Sequence, residues 1–104
     1  MGQKSFYLEM LKDYITEWDD KEEKLGQFLA AADWKSYEVL VHSLKSTSKT
    51  IGAEDISAAA RELELAATER NGAFILENHP KLMESGRKLV KAMKARLFPE
   101  GDRG

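Results

Sequence analysis

"DWKSYEVLVHSLKSTSKTIG", residues 33 to 52, carries Tyr37, Leu40, Val41, Leu44, Ser48 and Ile51 at steps of three and four. That spacing marks a helix that buries one face. Asp33 stands directly before the periodic run, where its carboxylate can accept the unpaired amides of a first turn. Gly52 stands directly after it, the one residue type that takes a left-handed C-terminal turn without a steric penalty. The stretch therefore predicts one helix together with both of its ends.

The flanking segments repeat the pattern. Upstream, Tyr7, Met10, Leu11, Tyr14, Ile15 and Trp18 form an apolar stripe, which the charged run Asp19-Asp20-Lys21-Glu22-Glu23-Lys24 interrupts. Asp19 with Glu22, or Asp20 with Glu23, has the spacing of a capping box. Either a short N-terminal helix stops here and a new one runs through Leu25, Phe28, Leu29 and Ala32, or a single helix bends. Downstream, Ile56, Ala59, Ala60, Leu63, Ala66 and Ala67 predict a helix from about Glu54 to Arg70, ended by Asn71-Gly72, with small residues that let a neighbour approach closely. The last helix shows Ile75, Leu76, Leu82, Met83, Gly86, Leu89, Val90, Met93 and Leu97. Pro80 should kink it near Leu76 or restart it after Asn78.

No alternating run of strand length occurs, and only Pro80 and Pro99 are prolines. The predicted fold class is all-α: an antiparallel up-down-up-down four-helix bundle with a short additional N-terminal helix. The 104 residues suit one domain, with 99–104 expected to fray.

Composition narrows the function. Sixteen basic and eighteen acidic residues leave a net charge of -2, so no global field favours nucleic acid or an anionic membrane. The absence of cysteine removes disulfides, thiolate metal sites and thiol nucleophiles. No apolar run approaches the roughly 18 residues needed to span a bilayer, and MGQKSFYLEM has no basic region followed by an uninterrupted apolar one. A soluble, cytoplasmic chain without direct membrane contact is expected.

At about 100° per residue, His42 falls roughly 140° from the centre of the buried arc and faces water. Lys35, Glu38, Lys45, Ser46 and Lys49 share its exposed arc, and Val39 leaves a small apolar spot beside the ring. A surface histidine among lysines is ordinarily just solvated. Here the ring is reachable, cations flank it and Ser46 leaves the approach uncrowded. Neutral imidazole is a nucleophile near neutral pH and leaves readily, which suits carrying a phosphoryl group rather than storing it. Lys45 and Lys49 would place positive charge on the phosphoryl oxygens. Val39, Ser43, Ser46, Lys35 and Glu38 are the expected partner-docking residues, since a small apolar spot ringed by charge is what a transient interface covers.

The remaining constellations carry less. His79 and His42 sit on different helices without carboxylates at ligand spacing, so no metal is expected and His79 is assigned a structural role. The acidic pairs near residue 20 read as a helix start, and Lys88, Lys91, Lys94 and Arg96 as favourable charge near a helix C-terminus. No glycine-rich nucleotide loop is present, so no cofactor is expected.

The stretch His42-Ser43-Leu44-Lys45-Ser46-Thr47-Ser48, followed by Ile51-Gly52-Ala53, resembles the histidine-containing phosphotransfer (HPt) domain family. Asp33-Trp34, Arg61-Glu62-Leu63-Glu64 and Asn78-His79 look like the forms attached to hybrid sensor kinases, so the resemblance covers nearly the whole chain. It implies a four-helix bundle in which His42 is the phosphorylated residue, Lys45 the lysine that contacts the phosphoryl group, and Glu64 a polar side chain that orients the imidazole. Ser46 departs from the family's usual glycine but stays small. The resemblance further implies a phosphocarrier in a multistep two-component phosphorelay, with no kinase activity of its own; a closed bundle bearing one accessible histidine works as a monomer, the state expected here. Its partners would be response-regulator receiver domains, which supply the aspartate and the metal ion, and a parent hybrid kinase where the domain is part of one. A helical docking module that has lost the transfer chemistry is the alternative. An independent enzyme lacks a second group to complete an active site.

Overall fold

The computed structural model describes residues 2–97, with side chains from residue 6 onward. It contains four helices: α1 (Gly2–Ala30), α2 (Trp34–Thr50), α3 (Glu54–Thr68) and α4 (Gly72–Leu97). The expected frayed tail, 99–104, lies outside the described residues.

The charged run does not divide the first segment: α1 is one helix, and the expected short N-terminal helix is part of it. No proline occupies the run, and its charges pair along the helix instead of capping a new one. Lys21 meets Glu17 and Lys24 meets Asp20 at i,i+4 spacing. Glu22 Oε1 accepts the Trp18 indole N–H at 3.0 Å, and its other oxygen pairs with Arg87 of α4. The buried stripe Tyr14, Ile15, Trp18 and Leu25 passes beneath these charges.

Three-residue turns join the helices, and all three use the same closure. A left-handed residue, Ala32 (φ 54), Gly52 (φ 86) or Arg70 (φ 57), donates back three residues, and the residue after it donates back five. This is the Schellman pattern. Gly52 behaves as expected, whereas Arg70, not Gly72, is the left-handed residue after α3. Asn71 caps α4 through Phe74 N–H at 3.2 Å, as Asp33 caps α2 through Ser36 N–H at 3.2 Å. Gly72 is small for a different reason: a Cβ there would sit 3.1 Å from the Trp34 ring.

Pro80 does not break α4, which is helical from Gly72 to Leu97. The proline removes the amide that would bond Leu76 C=O, and both Pro80 and Leu76 are on the exposed side, where water can satisfy that carbonyl.

Each helix packs against its two neighbours around the bundle, and α2 with α3 is the closest pair. Ala60, Ala66 and Ala67 are among the buried residues of α3. Between α1 and α2 the numbering runs in opposite senses: Tyr7 Oη donates to Ile51 C=O, while Tyr14 Oη and Ser48 Oγ bond at 2.8 Å about two turns farther along α1. The Tyr14 bond explains a fully buried serine in the stripe of α2. Gly86 of α4 makes room for Trp18, because a Cβ there would lie 1.9 Å from the indole. Tyr7, expected in the buried stripe, is exposed: it lines an open groove with Leu11, Ile51 and, from α4, Leu89 and Met93.

Candidate functional site

His42 projects from the middle of α2, with its side chain 56% exposed. Val41 and Leu44 beside it are fully buried and lock the register of the helix, so the ring is fixed by the packing of residues it does not touch. Across the close α2–α3 contact stands Glu64. Its Oε2 is 2.6 Å from His42 Nδ1 and its Oε1 is 2.7 Å from Lys45 Nζ.

One carboxylate therefore bridges the histidine and the lysine. Partial burial pushes the Glu64 carboxyl up, but Lys45 and His42 together outweigh that, and its pKa ends below the usual carboxylate range. An ionised carboxylate only accepts, so the proton of a neutral His42 sits on Nδ1 and is donated to Glu64. Nε2 is then the nitrogen with the free lone pair, and none of the described residues bonds it. The arrangement is a half-exposed imidazole oriented by a neighbouring carboxylate.

The family model described as Hpt domain matches residues 9–97. The chain belongs to the Hpt domain family. No curated protein and no solved structure matches it significantly. Hpt domains carry phosphoryl groups on a histidine in phosphorelays, interact with receiver domains and are not kinases. No helix among the described residues of this Hpt domain is long and apolar enough to cross a membrane.

The other expected site residues are distributed unevenly over the Hpt domain. Lys45 lies beside His42 but is half-buried and ion-paired with Glu64. Lys49, Lys35 and Ser46 are exposed on the same side of α2, and Val39 is 63% exposed. Ser43, expected to be exposed, is half-buried, since it shares its flank of α2 with half-buried Ser36 and Thr47. Glu38 is also half-buried and accepts a 2.7 Å hydrogen bond from Thr68 of α3. His79 is in the core, 2.9 Å from Tyr37 Oη, and not near the surface that bears His42.

Two residues of this face were not singled out from the sequence. Leu65, next to Glu64, is 59% exposed, and Arg61, one turn before it, is exposed as well. The signal for Leu65 was present, since it falls opposite the stripe Ile56, Ala60, Leu63 and Ala67. Arg61 had none, because a charged residue on an outer helix face is ordinary.

Proposed function

We propose that this Hpt domain is a phosphocarrier that accepts a phosphoryl group on His42 from a receiver-domain aspartate and passes it to a second receiver. The observation that carries the reading is the bond from His42 Nδ1 to Glu64 at 2.6 Å on a half-exposed ring. It leaves Nε2 as an outward nucleophile. The Nε2 lone pair attacks the phosphorus of the aspartyl phosphate, the P–O bond to the aspartate breaks, and its electrons remain on the departing carboxylate. The ring then holds the phosphoryl group on Nε2 and a proton on Nδ1, and the resulting positive charge faces Glu64. Return transfer reverses these steps, with neutral imidazole as the leaving group.

In this reading Glu64 is a positioning residue and Lys45 the nearest cation for the phosphoryl oxygens. Lys45 can turn from Glu64 toward the new dianion while Glu64 keeps the imidazolium. Lys49 supplies further positive charge. Val39, Ser46 and Lys35, joined by Leu65, form the surface a receiver covers, with Ser43 and Glu38 at its half-buried margin. The chain works as a monomeric up-down-up-down bundle comprising one domain over 1–104. It acts in the cytoplasm, free-standing or as the cytoplasmic portion of a membrane-bound hybrid sensor kinase, and has no kinase activity of its own.

The test is to incubate the chain with an aspartyl-phosphorylated receiver domain and follow the label into an acid-labile, alkali-stable adduct. Label is expected on the native chain and absent from His42→Gln. Equal labelling of that variant would refute the assignment. A chain that binds receivers yet never acquires label would instead be a docking module.

A further inference from the structure

Among the described residues, polar side chains tie α3 to α2 in three places. Glu64 meets His42 and Lys45, Thr68 donates to Glu38, and Ser57 donates to Lys45 C=O at 3.0 Å. The first two involve long side chains, which turn about several bonds and can follow a shift of one helix along the other. Ser57 is different. It is buried, its hydroxyl turns about a single carbon–carbon bond, and its acceptor is backbone. Of the three ties it alone joins α3 to the α2 backbone without slack.

Its position relative to the candidate site follows from counting. The two helices run antiparallel, since Ser57 meets Lys45 whereas Thr68, later in α3, meets Glu38, earlier in α2. Glu64 follows Ser57 by seven residues, so both project from one flank of α3, about 10.5 Å apart along its axis. Fixing Ser57 on the Lys45 backbone therefore fixes how far along α2 the Glu64 carboxylate arrives. It arrives at His42 Nδ1, 2.6 Å away, and at Lys45 Nζ, 2.7 Å away. A slide of α3 by one residue step, about 1.5 Å, would stretch the His42 contact past hydrogen-bond reach or force the glutamate from its rotamer. Burial of apolar side chains is non-directional and does not set so fine a step.

We infer that Ser57 is a positioning residue for phosphoryl transfer: its bond to Lys45 C=O sets the register of α3 on α2 that holds Glu64 against His42. The inference rests on the phosphocarrier reading. Ser57 touches neither the imidazole nor the surface a receiver covers, so it acts through Glu64 alone. Its hydroxyl can be removed without leaving an orphaned acceptor, because Lys45, inside α2, keeps the helix's own bond from the Lys49 amide.

The test uses the whole chain and an aspartyl-phosphorylated receiver domain. Ser57→Ala should lower the maximal rate of label transfer about fivefold and leave KM for the receiver unchanged. In imidazole nitrogen NMR spectra of neutral His42, the proton held on Nδ1 in the native chain should be shared with Nε2 in the variant. Because Ser57 acts through Glu64, the double variant Ser57→Ala, Glu64→Ala should transfer no more slowly than Glu64→Ala. Ser48→Ala removes a buried hydroxyl bond on the other interface of α2, to Tyr14 of α1, and should keep the native rate and ring spectrum. A native rate or a native ring spectrum in Ser57→Ala would overturn the inference, as would additive losses in the double variant or an equal loss in Ser48→Ala. The ring spectrum is read without any phosphoryl donor, so a native chain that never acquires label would remove the phosphocarrier reading while the positioning of His42 is still tested.

Discussion

Glu64 of α3 reaches His42 of α2 across the tightest helix contact in the bundle, with its Oε2 2.6 Å from the imidazole Nδ1. That contact converts a solvated surface histidine into an oriented one. It is supported on both sides by other bonds between the two helices: Ser57 donates to Lys45 C=O at 3.0 Å near the start of α3, and Thr68 donates to Glu38 at 2.7 Å near its end.

Removing the carboxylate should free the ring. Glu64→Ala should lower the rate of transfer from a phosphorylated receiver by about an order of magnitude, since tautomer and orientation are lost together. Glu64→Gln, whose amide oxygen still accepts from Nδ1, should fall between the two. Rapid-quench measurement of label transfer checks this, and a native rate in Glu64→Ala would contradict a positioning role.

The apolar spot beside the histidine should matter for binding alone. Val39→Asp should raise KM for the receiver about tenfold, because a carboxylate is then desolvated in the covered patch. Val39 makes no buried contact to lose, so helicity by circular dichroism and the thermal midpoint should hold. Titration with receiver gives the affinity, and unchanged binding would remove Val39 from the docking surface.

Much of this arrangement was legible in the sequence. Asp33, Gly52 and the stripe of α2 predicted that helix with both ends, and the wheel placed His42 outward. The continuity of α1 was not legible, because the run at residues 19–24 has capping-box spacing, and only tertiary partners show that Glu22 serves Trp18 and Arg87 instead. The turn after α3 misled for a related reason. Glycine is the usual left-handed residue, yet Arg70 takes that role at a cost of about 1 kcal/mol, while a Cβ at Gly72 would crowd the Trp34 ring. Glu64 came only from the family resemblance, because nothing local in α3 marks one glutamate as facing α2.

The approach of α1 to α4 depends on the missing side chain at Gly86. Gly86→Ala would place a methyl group 1.9 Å from the Trp18 ring, which is buried and anchored through its N–H to Glu22. Overpacking of this kind should destabilise the domain by about 3 kcal/mol. Urea unfolding followed by Trp fluorescence measures it, and an unchanged midpoint would show that the indole is not held there.

Acid should weaken the bundle in two stages. Burial pushes the His79 pKa down, and the charge of Glu22 only partly opposes it, so the folded state resists a proton that the unfolded chain takes up at the ordinary value of 6.5. The resulting stability is complete above that pH and declines below it, by up to about 1.4 kcal/mol per pH unit for one proton. Glu64, whose pKa is lowered, adds a loss of the same sign only below its ordinary value of 4.5. Urea midpoints taken from about pH 7.5 to about pH 5 should fall for the native chain and stay flatter for His79→Gln. Identical slopes would assign the first stage to another group.

The most direct test concerns which ring nitrogen carries phosphorus. Phosphorylate the chain from a receiver domain and record phosphorus and imidazole nitrogen NMR spectra of the adduct at neutral to alkaline pH. The contact between Glu64 and Nδ1 predicts a single species phosphorylated on Nε2 of His42, with Nδ1 still protonated. Phosphorus on Nδ1, or on any residue other than His42, would contradict the account.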